Sequence, residues 1–387
     1  MSGGDSRKTE VAPLGPPNPN NRWDVLRWAT MRMEGQRISA RERLREEMKA
    51  ASIPLPAQIV MQLAQLRSVD LHEVLIDHPG FTSWNRYTSY EVSLRVFDRA
   101  VLDLVKAIQR FEAATEADSE RDILSRTQRS VLRDIERTIE KELFAATNAA
   151  HSLVDHSTRR LQSLVEITGY PTKLTECFGE DGLHEFVIGL RNILHHLHMI
   201  KPGWSLEHDF RSGTKKAMFT LDRIEVRFAV EQSRRSFGGG LARIQSYLHA
   251  SSEPINLKTM FEEYQRRVTK FHVWYGNELA SERLTAIRDY ERCLRENKNF
   301  AACTFWRAML GNWLRWKVPP NPYDHLLRYL TPEQLAEIYR SPMQSEEQVD
   351  KVIEFVDLDR ACDREVRKMA YELFRRATPP RQSDYPG

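Results

Sequence analysis

Long apolar runs are missing from this 387-residue chain, and no segment of it carries enough consecutive apolar residues to span a bilayer. Cysteine is scarce. Cys177, Cys293, Cys303 and Cys362 lie far apart, and no pair has the spacing of a zinc knuckle or a redox motif, so free buried thiols are expected. A strong charge of one sign is also lacking. Lys and Arg number 57 against 54 Asp and Glu, a formal +3, which permits nucleic-acid binding without arguing for it. The opening stretch MSGGDSRKTEVAPLGPPNPNNR has no apolar core, so a signal peptide is not expected. Gly, Pro, Ser and Asn dominate it, and residues 1–22 read as a disordered tail. A cytoplasmic location and no membrane partner follow as expectations. No internal repeat is visible.

What remains is globular in kind. Hydrophobic residues make up 41% and charged residues 29%, enough apolar surface for a sizeable core. The length points to two or three structural units. The fold class expected is mainly all-α. Residues 23–50 and 56–78 read as helices, with Pro54 and Pro56 between them, and 23–84 as an N-terminal helical extension. Residues 90–114 carry a broad apolar stripe of Val92, Val96, Phe97, Val101, Leu104, Ile108 and Phe111. A second long helix is expected from about Ile123 to Leu164, ended or bent by Gly169-Tyr170-Pro171. A third covers 183–199, stopped by Lys201-Pro202-Gly203. Residues 204–222 then change rhythm around Arg211-Ser212-Gly213-Thr214, which predicts a small β-hairpin. Helix resumes over 224–248 and 255–280. A C-terminal helical region, 281–387, is broken by several prolines.

Chemistry concentrates on the third helix, in Arg191-Asn192-Ile193-Leu194-His195-His196. At about 100° per residue, Asn192 and His196 share a face, Arg191 and His195 share the adjacent one, and a single stripe joins all four. Phe186, Val187, Leu190, Ile193, Leu194 and Leu197 supply the apolar side. Histidine exchanges a proton near neutral pH, arginine offers a fixed fork of donors to a phosphate, and asparagine can hold a tautomer or a substrate oxygen. Together they suit metal-free phosphodiester cleavage, which needs a base, a positive charge on the developing phosphorane and an acid. The plainer reading stays open: Arg191 and Asn192 bridge neighbouring helices, and His196 is a satisfied interior histidine.

The pattern R-N-x-x-x-H, set at mid-helix among long helices, resembles the HEPN family (higher eukaryotes and prokaryotes nucleotide-binding). Arg191, Asn192 and His196 carry the match, and HSLVDHSTRR at 151–160 looks like the preceding helix of some bacterial members. The resemblance covers roughly 85–280. It implies an antiparallel helical bundle of HEPN type, with Arg191 and His196 catalytic and Asn192 orienting them. It implies a metal-independent RNA endonuclease, without a cofactor, whose site is completed by a homodimer. It also implies a toxin, defence or RNA-processing setting, where an inhibitory or defence-system partner protein would restrain the activity. Other members bind nucleotide or protein partners without cutting, and that non-catalytic role is the alternative.

Other residues have two readings each. His151, Asp155 and Arg159 stand at four-residue steps on one helical stripe: either a surface pair, or a support that reaches Arg191 or His196 together with His195. His195 and His198, with His184 and His208 near in sequence, invite a metal. A third ligand at suitable spacing is missing, and Glu185 or Asp155 would have to arrive through space, so no metal is expected. Gly238-Gly239-Gly240 lacks the flanks of a phosphate loop and reads as a helix break. The stretch 304–316, TFWRAMLGNWLRW, interleaves aromatic and basic residues as an RNA-stacking segment would. At helical spacing its Phe305, Met309, Trp313 and Trp316 read as core.

Overall fold

Nearly every stretch with apolar residues at helical spacing folds as helix. The computed structural model describes residues 17–116, 129–157, 167–196, 201–208, 215–251, 254–279 and 284–380. The expected N-terminal tail, apart from its last residues, lies outside them. The described residues are mostly helical, with one small antiparallel sheet. Among them, no helix is long and apolar enough to cross a membrane.

The chain divides into two compact units, each described by itself. The terminal unit joins the N-terminal segment up to Phe81 with everything from Thr285 onward. In it α1 (Arg22–Ala50) starts on Asn21, whose side chain accepts from the Trp23 and Asp24 amides. The expected helix over 56–78 is two, α2 (Ala57–Ala64) and α3 (Ser68–Leu75). The break has a tertiary cause. The buried Asn297 amide on α12 (Thr285–Trp313) donates to the carbonyls of Leu63, Ala64 and Leu66 at 3.2, 3.0 and 2.7 Å. Those are the acceptors that the end of a helix leaves open. α13 (Tyr323–Leu326), α14 (Pro332–Ile338), α15 (Glu346–Val356) and α16 (Arg364–Arg376) close a second cluster around Tyr323, Leu335, Ile338, Val349 and Phe374.

Two expectations from the sequence need correcting. Phe305 and Trp316 are not core: they stand 62% and 48% exposed, and Met309 and Trp313 are only half-buried. The C-terminal half of α12 buries Leu310 against Val366 and Leu373, with Trp313 packed at the edge of that cluster and Phe305 outside it. The four thiols are free, as expected, but only Cys177 and Cys293 are buried.

The central unit runs from Thr82 to Leu284. α4 (Phe81–Glu116) begins well before the expected residue 90. α5 (Arg129–Val154) continues into a single π-helical turn at 155–157. Then come α6 (Tyr170–Phe178), which was not foreseen, α7 (Leu183–His196) and the hairpin of β1 (Gly203–His208) and β2 (Lys215–Leu221). β3 (Ile255–Asn256), also unforeseen, adds to β2. Between them lie α8 (Arg223–Gln232), the short α9 (Arg234–Phe237), a 3-10 turn at Gly238–Gly240 and α10 (Leu241–Ala250), so the glycine run does break the helix. α11 (Leu257–Leu279) completes the unit. α11 runs antiparallel to α4, as the pairs Tyr90–His272, Asp98–Gln265 and Glu112–Lys258 show. Ser93 bonded to His156 at one end sets α5 antiparallel to α4 as well, since Trp204, which bonds Glu136, stacks on Phe111 at the other. The core is aromatic: Phe97, Phe178, Phe271, Tyr170, Tyr264 and Tyr275 meet in edge-to-face, tilted and stacked pairs.

Candidate functional site on helix α7

α7 is fixed from both sides before its polar stripe is considered. Phe186, Val187, Leu190 and Ile193 are buried at the i, i+1, i+4, i+7 spacing of one helical face. Their burial contributes roughly 2 kcal/mol each. Gly182, just before the helix, has φ of +79°, and a Cβ there would fall 2.0 Å from the Arg243 carbonyl oxygen. Only glycine admits both that conformation and that approach. Glu185 of α7 pairs with Arg243 of α10 at 2.7 Å. On the other side α5 presents Ala145, Ala146, Ala149 and Ala150, small residues that let the two helices come close.

Asn148 interrupts that alanine run. Its Nδ2 donates to the Phe144 carbonyl at 2.8 Å, which turns Oδ1 toward α7. Arg191 Nε donates to Asn148 Oδ1 at 3.4 Å, and Arg191 Nη1 to Asn192 Oδ1 at 3.3 Å. The half-buried guanidinium is therefore oriented by two neutral amide oxygens. Among the described residues no carboxylate pairs with it. A cation set this way is positioned yet not neutralised, and it keeps its field for an anion arriving from solvent.

The backbone of His195 and His196 forms the last turn of α7, while their side chains lie outside the described residues, as do Arg159 and His198. Asp155 and His151 are described and half-buried, both engaged by other groups. The support expected from Asp155 or His151 to His196 involves a side chain outside the described residues. Arg191 meets Asn148, and Trp204, beyond the end of α7, meets Glu136, so α5 and α7 run antiparallel. At about 1.5 Å per residue, Asp155 lies about 10 Å beyond Asn148 toward the start of α7, while His196 lies toward its end. His151 sits one turn from Asn148 on the same side. The group that sequence reading missed is Asn148. Its one signal was an amide within an otherwise apolar small-residue run.

The histidines weighed as ligands near the motif divide. His184 is a core residue, its Nδ1 3.2 Å from the Tyr264 hydroxyl and its ring stacked on Tyr264 and against Phe178. Burial pushes its pKa down. The side chain of His208 lies outside the described residues. Among the described residues, no three His, Cys, Asp or Glu groups gather as metal ligands would.

Elsewhere the central unit holds buried neutral pairs. Tyr90 and His272 share a hydrogen bond of 2.8 Å, and burial pushes the imidazole down to about 3. The Tyr275 hydroxyl donates to the Ser157 carbonyl in the π turn. The terminal unit instead holds a buried charged group. Asp289 accepts from the Leu55 amide at 2.8 Å, pairs with Arg292 at 2.6 Å and faces His78 Nε2 at 3.4 Å. The Gly80 amide donates to His78 Nδ1, so the neutral ring carries its proton on Nε2, toward the carboxylate. This group is closed in and ties segments far apart in sequence.

Fold and site together define a mostly helical protein with a small antiparallel sheet and a polar arginine-asparagine stripe on α7. The chain matches no protein-family model, no curated protein and no solved structure.

Proposed function

We propose that α7 carries a metal-independent RNA endonuclease site of HEPN type, built on the antiparallel helices of the central unit. The observation that carries this reading is Arg191, a half-buried cation oriented by Asn148 and Asn192 and, among the described residues, paired with no carboxylate. The R-N-x-x-x-H pattern supports it from the sequence.

In this reading Arg191 holds the scissile phosphate. The ribose 2′-oxygen attacks phosphorus and gives its proton to a base, the P–O5′ bond breaks, and the 5′-oxygen takes a proton from an acid. The products are a 2′,3′-cyclic phosphate and a 5′-hydroxyl. His196 serves as one of the two proton-transfer groups, and His196 from a second copy supplies the other across a symmetric dimer. Asn192 orients the pair. A toxin or defence setting with a restraining partner protein belongs to the same reading.

The test mixes the purified full-length chain with end-labelled RNA in EDTA, beside Arg191→Ala and His196→Ala. Cyclic-phosphate ends that vanish in both variants, with helicity and oligomeric state unchanged, are the expected result. RNA left intact by the folded wild-type chain at every concentration overturns the proposal and leaves a non-catalytic binding module.

A further inference from the structure

We propose a second contact surface for RNA, in the other unit: the segment from Arg315 to Tyr329 is a stacking platform for single-stranded RNA. It does not depend on cleavage at α7.

The segment is ordered by its backbone. Arg376 donates to the carbonyls of Leu314 and Trp316 at 2.6 and 2.8 Å, and Asn321 Nδ2 donates to the Thr378 carbonyl at 3.0 Å. Tyr323, Leu326 and Leu330 anchor the next turn in the core. The intervening residues are thereby turned out, and Trp316 and Tyr329 stand 48% and 76% exposed. Each ring has cations as chain neighbours: Arg315 and Lys317 flank Trp316, and Arg328 precedes Tyr329. All three cations are exposed, and among the described residues none has a carboxylate partner. Between Ala308 and Thr331 the sequence holds one acid, Asp324, which accepts from Asn321 Nδ2.

Exposed rings held on a fixed backbone, each beside an unpaired cation, match what an unpaired polynucleotide presents. A base stacks on the ring and the adjoining phosphate meets the cation. A paired helix hides its base faces and cannot stack in this way. Phe305 and Trp306 on α12 are exposed too, their rings 6.0 Å apart. The cation beside them, Arg307, is taken by Asp363 and Glu365, so that patch lacks the charge a phosphate needs. The platform therefore begins after α12.

The test uses the full-length chain and a short fluorescent 2′-O-methyl oligouridylate, which lacks the attacking hydroxyl, so binding is read without cleavage. Affinity in anisotropy titrations is expected to fall about tenfold in Trp316→Ala and in Tyr329→Ala. In the wild-type chain, three phosphate contacts weaken binding roughly 20-fold between about 50 and 200 mM salt. Arg315→Gln with Lys317→Gln flattens that dependence, and Phe305→Ala changes nothing. The glutamine variants lose no internal partner, so they carry the test if a ring variant fails to fold. Affinity unchanged in folded Trp316→Ala/Tyr329→Ala, or no binding by the wild-type chain, overturns the proposal. So does binding to phosphatidylglycerol vesicles through these residues with the oligonucleotide ignored.

Discussion

Among the described residues, the two units differ in the charge they bury outright: the terminal unit buries Asp70 and Asp289, and the central unit buries no charged side chain. In the terminal unit, arginines are answered by carboxylates. Arg37, Arg41 and Arg67 converge on the buried Asp70, and Arg292 on the buried Asp289. Burial would raise the Asp70 carboxyl, but the three guanidiniums hold it below its usual range. In the central unit, the buried polar groups are neutral histidines and tyrosines, and the arginine on the motif helix is answered by amides. An arginine facing a carboxylate is consumed by the fold. One facing amide oxygens is placed and still charged. The same residue type thus reads as scaffold where a carboxylate faces it, as at Arg292 or at Arg267 of the central unit between Asp181 and Glu263, and as candidate machinery on α7.

The strongest way to break this comparison is to remove a carboxylate from the terminal unit. Asp289→Ala strands the buried His78 Nε2–H and the Leu55 amide and leaves the one-third exposed Arg292 with the Leu55 carbonyl but no carboxylate. Breaking a buried pair in this manner costs about 3–5 kcal/mol. Chemical denaturation of the variant should show that loss, whereas Arg191→Ala should lose less than about 1 kcal/mol, because only two long hydrogen bonds to neutral groups disappear. Equal losses in the two variants would erase the distinction.

A smaller effect tests the neutral histidines. Burial pushes His272 down to about 3, against 6.5 for the free group. Its folded pKa is therefore depressed. Above pH 7 the ring is neutral in both states and costs nothing. As pH falls from 6.5 toward 3, the unfolded chain gains a proton that the folded unit refuses, and stability drops. Between pH 7 and pH 5 the drop is about 2 kcal/mol. His272→Gln keeps an acceptor for Tyr90 and lacks the titration. Its stability loss between those pH values, followed by urea denaturation, should be smaller than the wild type's by that amount. Identical pH profiles would show that His272 is protonated inside the folded unit.

How much of this was legible follows from what each feature depends on. The long amphipathic helices and the hairpin strands were readable, because a period of 3.6 residues or 2 is a local signal. The split of 56–78 was not, since its cause is the Asn297 amide more than two hundred residues away. β3 is two residues long and exists through its pairing with β2. The joining of both chain ends into one unit rests on such long-range contacts throughout. At the site, Arg191 and Asn192 stood out by their pattern. Asn148 did not, because its role is set by the antiparallel register of α5 on α7. Asp155, well spaced on its own helix, lies about two turns along α5 from Asn148.

The finest test converts the motif arginine of α7 into the carboxylate-paired kind. Asn148→Asp replaces the amide oxygen 3.4 Å from Arg191 Nε by a carboxylate in nearly the same place. A half-exposed pair of this type changes stability by less than about 1 kcal/mol, so the fold gives little warning of the substitution. Its effect on an incoming phosphate is much larger, because the new charge cancels the one that Arg191 offers. Cleavage should fall at least about tenfold, one 1.4 kcal/mol step, and further than in Asn148→Ala, which loosens the guanidinium without neutralising it. Added salt should shrink the gap between the two variants by screening the cancelled field. If Asn148→Asp cuts RNA as fast as the wild type, the charge on Arg191 is not what the site uses. The arginine would then belong with those of the terminal unit, as a strut between helices.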